Sequence, residues 1–395
     1  MSSASVDNEK IRALVFTSLG HYLNDTFLIL ISILIVYYLL AGISVIFLAA
    51  MSAIYGIISG LLSTPVGSIA DRRGNYAKLM LLGFILIGVA NISFALSFLS
   101  YNIYLIAIGS ILLGSGAAFY HPLGGSILQL KYGGQNAPKA LGINGSLGSL
   151  GRAIAPSLLV FIIAFLGEVI GLTVIAVFVF VLAGIIYAGL RHLSINPRVG
   201  EQTRSSTPLK PYLYLLLPIG IMVFVRSMFI TGVMMYIPTF MTNLYRSKTV
   251  MGLVLTVTYA MAIISQPYFG RLTSRIGGRN VLIITTVGAA ISFVIFLLIR
   301  NFYAQVALFA VYSFFAFTGF PNLLGYVGQL VERGALTRAN GVIWGLGNTV
   351  GGAIGVLIGG SLIAFIGLNE VMWVFAIFAA ASVALLALLP RRKAT

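Results

Sequence analysis

His21 and Asp25 stand four residues apart inside an apolar run from Ile11 to Leu40. At that spacing they share one face of a helix, so imidazole and carboxyl can hydrogen-bond and exchange a proton. Asp25 is the only acid that falls within an apolar segment. A carboxyl at such a position costs roughly 2.5–3.5 kcal/mol on insertion scales, so it marks a proton, ion or substrate pathway. A rearrangement that brings a cation to the carboxyl or takes one away would release or bind a proton, which is the physical basis of coupling. Two other roles stay open: an acid that only neutralises an arginine, and a base and orienting group on one helix. No serine nucleophile arrangement accompanies the pair and the chain has no cysteine, so the expectation is that this is not an enzyme.

Two further charges interrupt apolar stretches, Arg152 in GRAIA and Arg226 in FVRSMF. A guanidinium does not deprotonate in proteins, so each needs a partner or an anionic guest. Glu168 and Glu370 read as external and Glu332 as cytoplasmic, which leaves Asp25 as the one deep counter-charge. Two guanidiniums against one carboxylate predict an uncompensated positive charge and an anionic substrate. Arg226 is the expected partner of Asp25 in the empty state. His121 precedes Pro122, whose missing N–H can kink a helix around a cavity. Tyr120 and Asn24 join Arg152, Arg226 and His121 as candidate substrate-binding residues. Asn144, Tyr259, Asn322 and Asn348 add polar groups at similar depth, where they can equally serve as contacts between helices.

The elements that must hold these residues are membrane helices. Hydrophobic residues make up 59% of the 395 and charged residues 8%, and the mean hydropathy is +1.04, values outside the range of a soluble domain. Apolar runs divided by Gly, Pro and charge give twelve segments, the first six centred near Asp25, Gly56, Gly88, Ala117, Ala153 and Phe180 and the second six near Met228, Ala260, Ala289, Phe315, Ile354 and Ala380. Of 24 Lys and Arg, 19 fall on one side of these segments. That asymmetry puts both termini and the loop from Arg191 to Lys210 in the cytoplasm of a multi-pass protein of the plasma membrane, the inner one where there are two. The net charge of +16 is thus a topology signal and no nucleic-acid partner is expected. The N-terminal stretch is too short and polar for a cleaved signal. Residues 191–210, rich in Ser, Thr, Pro and charge, read as a linker between a bundle at 1–190 and another at 211–395.

The halves repeat. STPVGSIADRRG returns as SQPYFGRLTSRIGG, so Gly67, Arg72 and Gly74 correspond to Gly270, Arg275 and Gly277, and GRAIA returns as GGAIG. A repeat at half the chain length predicts two bundles related by an axis along the membrane normal. Glycines recur every four residues from Gly347 to Gly359 and every three from Gly142 to Gly151, faces that admit a close backbone and are expected to slide between the halves. The GxGxxxG from Gly345 lies in an apolar span with no strand before it, and no ATP-binding loop or metal cluster is legible, so no cofactor is expected and ion or substrate gradients must supply energy.

GSIADRRGNYAK, with Gly67, Asp71, Arg72 and Gly74 at their spacing, resembles the signature loop between the second and third helices of the major facilitator superfamily. The resemblance covers essentially the whole chain and implies an all-helical membrane fold of twelve transmembrane helices in two pseudo-symmetric six-helix bundles. Asp71, Arg72 and the glycines, with Gly270, Arg275 and Gly277 in the repeat, would form the conformational switch. GHYLNDTF from Gly20 and AAFYHPLGG from Ala117 are similar to motifs of the fosmidomycin resistance group. That similarity implies a proton-driven efflux transporter, here of a small amphipathic or anionic compound, working by alternating access as a monomer in the lipid bilayer. An uptake symporter of an organic anion, such as a carboxylate or sugar acid, and a lipid flippase or scramblase are the alternatives.

Overall fold

The computed structural model describes residues 3–132, 137–193, 209–331, 339 and 342–390. Most of the expected linker at 191–210 lies outside them, as do Glu332, Arg333, Arg338 and the C-terminal basic run. All regular structure among the described residues is helical. The N-terminal part comprises α1 (Ser3–Thr26), α2 (Leu30–Leu40), α3 (Val45–Arg73), α4 (Tyr76–Ser97), α5 (Ile103–Tyr132) and α6 (Ala137–Leu190). The C-terminal part comprises α7 (Leu213–Tyr245), α8 (Lys248–Ile276), α9 (Gly278–Leu298), α10 (Phe302–Ala316) and α11 (Gly319–Gly328), then a π-helix at Val342–Val350 running into α12 (Gly351–Ile366), and α13 (Leu368–Leu385).

Ten helices among the described residues are long and apolar enough to cross a membrane, where the sequence reads as twelve segments. Two local features account for the difference. The fifth and sixth segments form the 54 residues of α6, which at ~1.5 Å per residue would reach about 80 Å if straight, far beyond a bilayer. Gly167 turns the chain inside it with φ 74° and ψ 169°, a conformation open to a residue without Cβ. The tenth segment is interrupted at Phe317 and Thr318, so α10 and α11 are each short.

Internal repetition is visible in local geometry. Gly367, 200 residues after Gly167, joins α12 to α13 with nearly the same angles, φ 88° and ψ 165°. Asn102 accepts hydrogen bonds from the amides of Tyr104 and Leu105, and Asn301 from that of Ala304, so each caps a helix whose second residue is an exposed tyrosine. Tyr104, Phe165, Tyr303 and Phe365 are among the most exposed large side chains, which suits rings lying at a membrane–water boundary.

The glycine faces pack only partly as expected. Gly351 and Gly355 lie against the backbone of Phe224 and Met228 in α7, and Gly148 and Gly151 lie against His21 and Tyr22 in α1. These contacts join neighbours within one part of the chain, whereas Gly145 of the same face meets Gln266 of α8 in the other part. Close approach across the two parts also comes at Gly60 against Thr349, Gly56 against Ala353 and Gly360 against Ala49. A Cβ on Gly355 would stand 2.4–2.5 Å from Met228 backbone atoms, which cannot yield as a flexible side chain does. Gly355→Ala is therefore expected to lower stability by about 1–3 kcal/mol. Gly142→Ala, with nothing within 4 Å of the new methyl, should be neutral or stabilising by up to ~1 kcal/mol; thermal unfolding of the two variants in detergent checks the contrast.

Candidate functional site

A cavity of about 200 Å³ lies where the two parts of the chain meet. Of the residues singled out by sequence, His21, Asp25, His121, Arg152 and Arg226 line it. Asn24 and Tyr120 do not; they stand behind its wall and support the residues that do. Asp71 and Arg72 fall in the last turn of α3 and their side chains are outside the described residues. Gly67, Gly74, Gly270, Arg275 and Gly277 lie in or at the ends of α3 and α8 and do not line the cavity. Gly74 ends α3 in the left-handed conformation with its N–H on the Ala70 carbonyl, and Arg275 occupies the last turn of α8, where a cation favours the helix dipole.

Three irregular helices shape the cavity. The first span breaks directly after Asp25, where Phe27 and Leu28 donate to the carbonyls of Asn24 and Asp25 in tight three-residue turns before α2 resumes. The tenth breaks at Phe317, and the eleventh opens as the π-helix that carries Trp344, Asn348 and Thr349. Irregular backbone is tolerated in a membrane where protein groups or a cavity satisfy it, and it marks binding sites in transporters. The tenth break has such partners: Arg226 donates to the carbonyl of Ala316 at 3.3 Å and Gln266 to that of Phe317 at 3.3 Å. Pro122 lies inside α5, which is continuous from Ile103 to Tyr132.

Around Asp25, itself 1% exposed, the groups converge from three helices. His21 Nε2 lies 3.4 Å from one carboxylate oxygen, and the guanidinium of Arg152 lies 3.6 Å from the same atom. The other oxygen accepts from Asn24 at 3.2 Å and faces His121 Nε2 at 3.8 Å. Here the structure corrects the expected pairing, because the arginine beside Asp25 is Arg152 and not Arg226. Arg226, 2% exposed, donates to Thr286 at 3.1 Å and to the end of α10, and no carboxylate faces it among the described residues. The partial negative charge of a helix C-terminus, about half a unit, offsets only part of the guanidinium.

His21 is oriented from behind. Its Nδ1 is 2.7 Å from Oδ1 of Asn144, an atom that only accepts, so Nδ1 carries a hydrogen and Nε2 is the nitrogen that faces Asp25. The Tyr120 hydroxyl, between Asn144 and the Thr17 carbonyl, packs its ring 4.8 Å from the imidazole. A bare lone pair at Nε2 would repel the carboxylate, so one proton placed on either group makes the contact favourable. The arrangement can therefore hold and transfer a proton. His21, Asp25 and His121 also place ligand atoms within 4.8 Å of one another, a donor set that a divalent ion could use, but the Arg152 guanidinium on the same carboxylate oxygen opposes a cation.

Sequence reasoning missed Gln266, Ser149, Phe317 and Trp344. Gln266 donates to Ser149 at 2.7 Å, and Ser149 also accepts from Arg152 at 3.2 Å, so one chain of hydrogen bonds ties the Asp25 group to α8 and the tenth-helix break. The Phe317 ring lies 5.6 Å from the Arg152 guanidinium carbon. Gln266 sits inside the repeated SQPYFG motif, which reads as loop signature and hides it.

The sequence pattern of the Major Facilitator Superfamily matches residues 14–244 and again 219–395. The chain belongs to this superfamily. It is accordingly a multi-pass membrane protein that transports a small molecule, and not an enzyme. The crystal structure of the nucleoside transporter NupG superposes with a TM-score of 0.72 over 97% of this chain and 100% of that one, at 16% identity, which shows a shared fold. No match was found among curated proteins.

Within this superfamily member the Asp25–Arg152 pair is testable apart from transport. Removing one partner of a buried pair strands the other charge, so Asp25→Asn is expected to cost on the order of 3 kcal/mol. The double variant Asp25→Asn with Arg152→Gln should cost less than the two single changes added together. Denaturant unfolding of the four proteins measures this coupling; strict additivity would show that the 3.6 Å contact carries no energy.

Proposed function

We propose that this protein is a proton-coupled symporter that carries a small organic anion inward by alternating access. The observation that carries the reading is Arg152 beside Asp25 at 3.6 Å. While Asp25 is charged it holds Arg152; a proton on the His21–Asp25 pair weakens that hold and makes the guanidinium available to an anion. Proton and anion then favour each other's binding, and reciprocity requires the coupling to run both ways. Cooperative binding of both on one side is co-transport, and an inward proton gradient makes it uptake. A cationic substrate would compete with the proton for Asp25 and give exchange instead. Arg226 adds the second positive charge, and the small cavity suits a compact solute better than a lipid.

In this reading residues 1–190 and 211–395 act as the two moving halves, with both termini cytoplasmic in the plasma membrane and the monomer as the working unit. His21 and Asp25 carry the proton, Arg152, Arg226 and His121 meet the substrate, and Asn24 and Tyr120 hold them in place. Asp71 and Arg72, with Gly67, Gly74, Gly270, Arg275 and Gly277, govern the switch from the ends of α3 and α8. A second reading, export, is favoured by the resemblance of Gly20–Phe27 and Ala117–Gly125 to the fosmidomycin resistance group.

In proteoliposomes, acid outside should drive accumulation of a transported anion, and acid inside should not. Asp25→Asn should abolish accumulation against a gradient while exchange of labelled for unlabelled substrate continues. Binding to the wild type should tighten as pH falls through the range in which the pair takes up its proton, and should be independent of pH in Asp25→Asn. Tighter binding as pH rises would indicate competition between proton and substrate, and would replace uptake by export.

A further inference from the structure

We infer that the anion is an aromatic monocarboxylate, its carboxylate held by Arg226 and Asn348 and its ring by Phe317, Trp344, Met234 and Met235. The inference rests on the organic-anion reading and narrows it to one chemical class.

The charge count sets one carboxylate. While Asp25 is charged it faces Arg152, so Arg226 is the guanidinium left without a carboxylate among the described residues and receives the anion first, and Arg152 joins it once the His21–Asp25 pair takes its proton. Beside it, Ser227 donates to Oδ1 of Asn348 at 2.9 Å. That bond fixes the amide with its N–H groups available to another acceptor, and Arg226 and Asn348 both line the cavity. A planar guanidinium and an amide donor are the partners a carboxylate takes in directional, charge-assisted bonds. The volume, about 200 Å³, is below the ~300–1,000 Å³ of pockets for drug-sized ligands, so an occupant is small and its body touches the opposite walls.

Those walls decide the body. Three aromatic rings, Tyr55, Phe317 and Trp344, and two thioethers, Met234 and Met235, line the cavity. Aromatic faces prefer other rings in offset or edge contact, and sulfur makes favourable contacts with ring edges. A sugar acid of the same charge would bring several hydroxyls, each needing a partner once out of water. Several of the cavity's polar side chains are engaged elsewhere: Ser52 donates to the sulfur of Met235, Ser63 to the carbonyl of Ser59, and Gln266 to Ser149 and the carbonyl of Phe317. A flat hydrocarbon body with one charged end meets these walls without leaving hydroxyls unpaired.

The chain has two tryptophans. Trp344 lines the cavity, whereas Trp373 is 41% exposed on α13. Trp373→Phe therefore leaves Trp344 as the only indole reporter. Purified Trp373→Phe protein would be titrated with benzoate, benzamide and gluconate at acid pH, with calorimetry alongside so that a binding event silent in fluorescence is counted. Benzoate is expected to bind saturably and about tenfold or more tighter than either of the others, since a site built for a polar group rejects the analogue lacking it. Asn348→Ala should weaken benzoate more than it weakens benzamide, a difference that the stability lost with the Ser227 hydrogen bond does not produce. Gluconate binding as tightly as benzoate would overturn the aromatic class and leave the anion reading intact. Benzamide binding as tightly as benzoate would overturn the anion reading itself, and no saturable binding of benzoate by either method would overturn this inference.

Discussion

A carboxylate removed from water has to be compensated on the spot, and that requirement at Asp25 organises the centre of this molecule. Its partners come from α1, α5 and α6, so three helices must meet at one depth for the charge to be tolerated. The constraint then spreads outward. Arg152 shares Ser149 with Gln266, and Gln266 reaches the backbone at the tenth-helix break, so a group on α1 is linked by side chains to helices in the other part of the chain. Side-chain contacts thus run without a gap from Asp25 to the seam where the two parts meet.

The C-terminal side meets a different constraint with a similar device. Breaking a helix inside a membrane strands its last carbonyls, and hydrocarbon offers them no donors. Arg226 and Gln266 supply the donors at α10, which explains how an interrupted helix survives at this depth. The same guanidinium thus serves the fold and faces the cavity. Such double use limits how far Arg226 can move, and it makes recognition at this wall a matter of fixed geometry, with Arg152 as the more adjustable of the two arginines.

Charged residues stranded in apolar sequence were legible because the contrast is high: Asp25, His21, His121, Arg152 and Arg226 all reach one cavity. Spacing could place them at similar depth but could not say which arginine faces Asp25, since rotation about each helix axis is set by packing. The break after Asp25 had no signal, because no Gly or Pro lies between Thr26 and Ile29. The tenth break had one in Gly319 and Pro321, and it was read as part of a continuous span. The glycine periodicities announced close backbone contact correctly, but periodicity names a face and not its neighbour. Gln266 and Ser149 were missed because neutral side chains in polar-spotted helices carry no contrast.

Single glycines stand at three of the helix junctions: Gly167 within α6, Gly277 between α8 and α9, and Gly367 between α12 and α13. Such a junction has no slack. Each joined pair behaves as two rods on an elbow, and a helix of ~20 residues extends about 30 Å from it. Opening an elbow by about 10° displaces the far end of the rod by about 5 Å at that length. Modest rotation at one residue near one face of the membrane is thus amplified into a displacement the size of a small solute at the opposite face, and the bend needs no hinge loop to produce it.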